Sequence, residues 1–141
     1  MKMSTKGKYA LEIAVDLALY SSDTGQLESL KNIAERRGLS EKYLERIIKA
    51  LKQKGIVRSV RGARGGYALA KPPEQIRVRE VFNAVEGQLA PVQCLTKETD
   101  CGISCDLCPT RNTWGMMWYI ITDAADKVTV ADIVEKVRRN K

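Results

Sequence analysis

Four cysteines, Cys94, Cys101, Cys105 and Cys108, occupy one 15-residue window in the spacing Cys-x6-Cys-x3-Cys-x2-Cys, and the chain contains no others. Thiols crowded in this way, in a chain with no recognisable targeting segment, point to a metal centre before disulfides. The ligating species is the thiolate, and positive potential favours it. Cys108 precedes Pro109 at the expected start of a long helix, where free amides and the helix dipole stabilise an anion. Lys97 and Arg111 add charge of the same sign. Zinc prefers paired Cys-x2-Cys knuckles, and only Cys105 and Cys108 form one. Iron–sulfur clusters accept irregular loops and cysteine-only ligation, which favours them here. A metal-free thiol switch is the third reading.

The absence of histidine from all 141 residues weighs against enzyme chemistry. It removes the commonest general base, the Ser–His and Cys–His nucleophile pairs, and the commonest zinc ligand. No glycine-rich phosphate loop is present either. The expectation is a non-enzyme without a small-molecule substrate. No apolar run approaches the roughly 20 residues that cross a bilayer, so no membrane association and a cytoplasmic location are expected.

The net charge of +7 is unevenly placed. Residues 31–64 hold eleven Lys and Arg against three Glu, a local charge of +8, so the remainder sums to −1. Such a concentration marks a face that meets a polyanion, or else an ordinary solvated surface. Local structure has to decide between them.

Apolar residues at 9, 10, 13, 14, 17 and 18 form one stripe of a first helix over 5–20, broken at 21–25. Ser29 caps a short helix with Ile33 and Ala34 inward, and Gly38 ends it. Ser40 caps a third, carrying Leu44, Ile47, Ile48 and Leu51, which Gly55 stops. Two short helices joined at Gly38-Leu39-Ser40 form a helix-turn-helix. Strands at 56–60 and 67–70 follow, joined by a tip with Arg61, Gly62, Arg64 and Gly65, which reads as a DNA-binding wing. A fourth helix holds Val78, Val81, Phe82 and Val85. A long helix from Pro109 carries Trp114, Met117, Trp118, Ile121 and Ala125 on one side, read as a dimer interface, as packing on the chain's own core, or as both on different faces. A last helix starts at Thr129, with Asp132 completing a reciprocal cap. The fold class is therefore mainly α with one small β-hairpin. The organisation is a winged helix-turn-helix (1–88), a cysteine-rich loop (89–108), a dimerisation helix (109–128) and a C-terminal helix packing back on the core (129–141).

Three stretches carry a resemblance: 4–10 (Ser-Thr-Lys-Gly-Lys-Tyr-Ala), 38–45 (Gly-Leu-Ser-Glu-Lys-Tyr-Leu-Glu) and 59–67 (Ser-Val-Arg-Gly-Ala-Arg-Gly-Gly-Tyr). With the cysteine loop behind them, the whole chain resembles the Rrf family of bacterial winged-helix transcription regulators, the IscR/NsrR/CymR type. The resemblance implies a homodimer whose long C-terminal helix crosses its partner's. It also implies an iron–sulfur cluster on the cysteine loop that senses cluster supply, nitric oxide or redox state. Two departures stand out. Cluster-bearing members generally show three cysteines, and this chain has four. Arg111 stands where the best-known iron–sulfur member has a ligating histidine. Either Cys105 completes an all-cysteine site or a ligand comes from elsewhere, for which Glu12 on the partner's first helix is the available oxygen donor. A 2Fe–2S cluster is placed ahead of 4Fe–4S.

The DNA contacts are expected from the position of residues on the helix-turn-helix and the wing. Ser40, Lys42, Tyr43 and Glu45 would open the recognition helix in the major groove. Ser40 and Tyr43 would hold phosphate, and Glu45 would accept from cytosine N4. Arg61 and Arg64 would enter the neighbouring minor groove, with Gly62 and Gly65 permitting close approach. Ser40 also has a purely structural role as a cap, and Tyr43 one in core packing. A dimer would read a pseudo-palindromic duplex operator with half-sites about one helical turn apart. The function expected is a DNA-binding regulator, a repressor, controlled by the cluster. The alternatives are a zinc-stabilised or thiol-redox regulator, or a small iron–sulfur redox protein.

Overall fold

A computed structural model describes residues 3–21 and 26–140. The break expected at 21–25 lies, Ser21 apart, outside the described residues. The order of elements is α1 (Thr5–Tyr20), α2 (Leu30–Arg37), α3 (Glu41–Gln53), β1 (Val57–Val60), β2 (Gly66–Leu69), α4 (Val78–Glu86), α5 (Arg111–Lys127) and α6 (Val130–Arg139). Single 3-10 turns lie at Pro73–Gln75, Gln93–Leu95 and Cys105–Leu107.

The local signals act where the sequence places them. Ser29 Oγ accepts from Asn32 N at 3.1 Å and Ser40 Oγ from Tyr43 N at 3.2 Å, so both helices of the turn motif start on hydroxyl caps. Gly38, at φ 67°, ends α2 in the left-handed region that a side chain disfavours. Thr129 and Asp132 exchange bonds of 3.2 and 2.9 Å at the start of α6.

One core collects α1 to α4, the hairpin and α6. Ile13 and Leu17 meet Ile33, Leu44, Ile47, Ile48 and Leu51, with Ile56, Ile76, Val81 and Val130 closing the cluster. Full burial of each such side chain contributes about 1.5–3 kcal/mol. Backbone bonds from Val78 N to Val128 O (2.9 Å) and Val130 N to Ile76 O (2.8 Å) pin the starts of α4 and α6 side by side. A second, smaller cluster of Val78, Leu89 and Ala125, with Phe82, Ile121 and Ile133 against it, seats the end of α5.

One expectation is corrected and a second is refined. Pro109 is not the first residue of the long helix. The first helical bond runs from Trp114 N to Thr110 O, so Thr110 is the cap and α5 starts at Arg111. Pro109 instead holds Cys108 extended (φ −70°, ψ 118°), as a residue before proline prefers. The apolar side named on this helix is also divided. Ile121 and Ala125 pack on the chain's own second cluster, and Trp114 and Trp118 are half-buried. The exposed apolar residues are Met116 (59 %), Tyr119 (70 %) and Ile120 (57 %), with Met117 at the margin. Period alone marks one stripe, whereas α4 and Leu89 approach α5 only near its C-terminal end.

Candidate nucleic-acid interface and cysteine loop

The first turn of α3 presents Ser40, Lys42 and Glu45 to solvent. Tyr43 is half-buried against the core, its ring edge-on to Tyr9 of α1 at 6.1 Å and 86°. That geometry realises the packing role of Tyr43 and ties the start of α3 to the start of α1. Ile47, Ile48 and Leu51 hold the far side of the helix, which leaves its polar face free.

The hairpin is antiparallel with Val57 opposite Leu69 and Val60 opposite Gly66. Its tip closes through Gly65 N to Gly62 O at 3.0 Å, with Gly62 at φ 114°. A Cβ on Gly65 would stand 2.0 Å from Val60 O, so the tight turn requires glycine there. Arg61 and Arg64 are exposed on this tip. Nearly all the cations of 31–64 lie on the surface in the same way. Arg36 and Arg37 do not. Arg36 forks onto the buried Asp16 carboxylate, Nε–Oδ2 3.0 Å and Nη2–Oδ1 2.7 Å, and Arg37 Nε lies 3.2 Å from Asp16 Oδ2, off the hydrogen-bond axis. Two of the eleven cations counted toward a polyanion are thus turned inward. Asp16 raises the Arg36 guanidinium further above its ordinary value, first by hydrogen bonding.

Beyond α4 the chain enters the cysteine loop through Gly87, whose φ of 75° turns it sharply. Glu86, the last residue of α4, accepts from Gly7 N at 3.0 Å and from the Ser4 hydroxyl, so its carboxylate caps the start of α1. A Cβ on Gly7 would stand 2.7 Å from Glu86 Oε1, and the glycine is what admits the carboxylate. The entrance to the loop is therefore fixed to the helix whose Tyr9 meets Tyr43.

All four cysteines are free thiols; Cys101 and Cys105 are exposed, and Cys94 and Cys108 intermediate. Arg111 Nη1 donates to Cys105 Sγ at 3.3 Å, and Cys108 Sγ lies 3.7 Å from Thr110 Oγ1. The Thr110 amide chiefly holds the Cys108 thiol below its ordinary value, with help from the Thr110 hydroxyl and from the amide and charge of Arg111. Among the described residues no three side chains of ligating type converge on one point. The donor set nevertheless fits an iron–sulfur centre. It offers four unbridged thiols, a cation beside one and helix-start amides beside another. Glu12 lies elsewhere, in a shallow apolar groove of about 570 Å³ with Leu11, Val15, Phe82 and Ile133.

Sequence reasoning missed Glu86, Glu28 and the inward turn of Arg36. Asp16, a carboxylate three residues after Ile13 in the apolar stripe, was the one available signal.

A helix-turn-helix followed by a basic glycine-tipped wing defines the class, a DNA-binding transcription regulator. Residues 3–136 match the Rrf2 family, described as an iron-dependent transcriptional regulator, and the chain belongs to that family. It is 37 % identical over 134 residues to protein rrf2 of Nitratidesulfovibrio vulgaris, covering 95 % of this chain and 87 % of that one. It is 35 % identical over 133 residues to the HTH-type transcriptional regulator CymR of Bacillus subtilis, covering 94 % and 89 %. The solved structure of T. potens IscR superposes with a TM-score of 0.81 at 35 % identity, covering all of this chain and 91 % of that one. These relatives are regulators, and the chain is not an enzyme. Among the described residues no helix is long and apolar enough to cross a membrane.

Proposed function

We propose that the chain is a homodimeric repressor whose affinity for a pseudo-palindromic operator is set by an iron–sulfur cluster on Cys94, Cys101, Cys105 and Cys108. The observation that carries the reading is the joint at Glu86. One carboxylate fastens the mouth of a four-thiol loop to the start of α1, and α1 touches the recognition helix through Tyr9 and Tyr43. When bound, the cluster would supply an anionic centre that responds to redox state, nitric oxide or cluster supply.

The chain's own residues do the rest. Ser40, Lys42, Tyr43 and Glu45 read and clamp the major groove, and Arg61 and Arg64, with Gly62 and Gly65, engage the minor groove. To hold a cluster, Cys94, Cys101, Cys105 and Cys108 would have to gather, which would reorder the loop between Gly87 and α5. Glu86 would connect that change to α1, and the exposed Met116, Tyr119 and Ile120 of α5 would connect it to the second subunit. The reading takes 2Fe–2S ahead of 4Fe–4S and the cytoplasm as the compartment. Anaerobic purification with absorption and Mössbauer spectra, beside a salt-dependent gel shift on the chain's own upstream DNA, tests both halves. Cluster bands with operator binding support the reading. Colourless protein that takes up neither ferrous ion nor sulfide removes the sensor half.

Four unbridged thiols, none of them fully buried and with no three ligating side chains converging among the described residues, favour a second reading, a thiol-redox regulator without metal. Operator binding that responds to peroxide in metal-free protein, and is restored by dithiol reductant, would select it.

A further inference from the structure

Arg36 differs from the other cations of the basic segment in what it joins. Besides forking onto Asp16 of α1, its Nη2 reaches Glu28 Oε2 at 3.1 Å, and its guanidinium lies 4.1 Å from the centroid of the Tyr20 ring. The Asp16 side chain is fully buried, and that of Glu28 nearly so. Glu28 is also the outer edge of the wing. Its backbone exchanges both hydrogen bonds with Tyr67 of β2, at 2.9 and 2.8 Å. The bare Cα of Gly66 permits this approach, because a Cβ there would stand 2.6 Å from Glu28 O. One arginine therefore connects the first helix, the first helix of the turn motif and the root of the wing.

A two-stranded hairpin of four-residue strands is marginal alone, so its attitude depends on what its root is fastened to. Val57 and Leu69 seat one face of the strands in the core, and the free edge of β2 is fastened by one further residue, Glu28, whose side chain is held by charge. A buried ion network adds little net stability over apolar packing, yet its directional bonds admit one arrangement. We propose that Glu28, Arg36 and Asp16 are positioning residues for DNA recognition. They fix the wing relative to α3 so that Arg61 and Arg64 engage the same duplex that α3 reads. None of the three touches DNA. The inference rests on the wing contacting DNA.

Glu28→Ala removes the tether but keeps the backbone pairing with Tyr67 and both arginines on Asp16. Fluorescence anisotropy on the full-length protein would give operator affinity for wild type, Glu28→Ala, Arg61→Ala/Arg64→Ala and the triple variant, with urea midpoints beside them. Glu28→Ala is expected to weaken binding roughly 3- to 10-fold in the wild-type background and to have no effect once both wing arginines are gone. Arg36→Lys keeps a cation against Asp16 but cannot fork to both carboxylates, and it should show the same dependence on background. A merely structural role would lower the urea midpoint and weaken both backgrounds equally. Equal losses, or no loss in either, overturn the proposal. If Arg61→Ala/Arg64→Ala alone leaves affinity unchanged, the wing contact itself fails and the proposal falls with it.

Discussion

At Ser40 a single hydroxyl serves two ends, capping α3 through Tyr43 N and facing the solvent where phosphate would lie. The two roles separate in a pair of substitutions. Ser40→Ala should lower stability by about 1 kcal/mol, whereas Ser40→Gly should cost only a few tenths. Both should weaken operator binding if the hydroxyl meets phosphate, and urea unfolding beside anisotropy distinguishes them. Full affinity in the glycine variant would leave Ser40 as a cap alone. Arg61→Ala should weaken binding and reduce the salt slope by about one. An unchanged slope would remove Arg61 from the interface. Asp16 presents the opposite case, a buried carboxylate with no ligand role. Asp16→Ala leaves Arg36 without its main partner but still on Glu28 and partly open to solvent, and should cost about 1–3 kcal/mol in urea unfolding. A loss below about 1 kcal/mol, the range of exposed ion pairs, would show the network to be loosely held.

The elements were legible wherever the deciding signal was local. Ser29, Ser40 and Thr129 cap helices through bonds to residues three positions on, so the written order of residues contains both partners. Gly38 and Gly62 act on their own backbone, at φ 67° and 114°. The Arg36 network was not legible, because Asp16 and Glu28 come from other elements and meet Arg36 only after α1 and β2 have packed. The division of α5 was hidden for a similar reason, since periodicity marks an apolar stripe but not what covers it. For α6 the reciprocal cap has a consequence in acid. The Thr129 amide and hydroxyl hold the Asp132 carboxyl below its ordinary value of 3.8. A lowered folded value means that this contribution is full above 3.8 and is lost as pH falls through the folded value. Wild-type stability should therefore fall more steeply than that of Asp132→Asn as pH drops below about 4, as followed by circular dichroism. Parallel curves would show that the cap does not titrate.

In the whole molecule, the four-thiol loop lies between a reading head and a helix with apolar residues left uncovered. Met116, Tyr119 and Ile120 recur at the spacing of one helix face, so a charge placed there should separate a dimer. Ile120→Glu is expected to sediment as a monomer with intact helical content and to lose most of its operator affinity, while wild type sediments as a dimer. A variant that remains dimeric would move the interface elsewhere. The loop's contribution is tested most directly by one titration. Operator affinity would be measured anaerobically on a single preparation before and after loading with ferrous ion and sulfide, with bound iron determined in the same samples. Coupling of about 1–3 kcal/mol predicts a change in affinity of roughly 5- to 150-fold on loading. Loaded protein that binds the operator as the unloaded protein does would contradict the account.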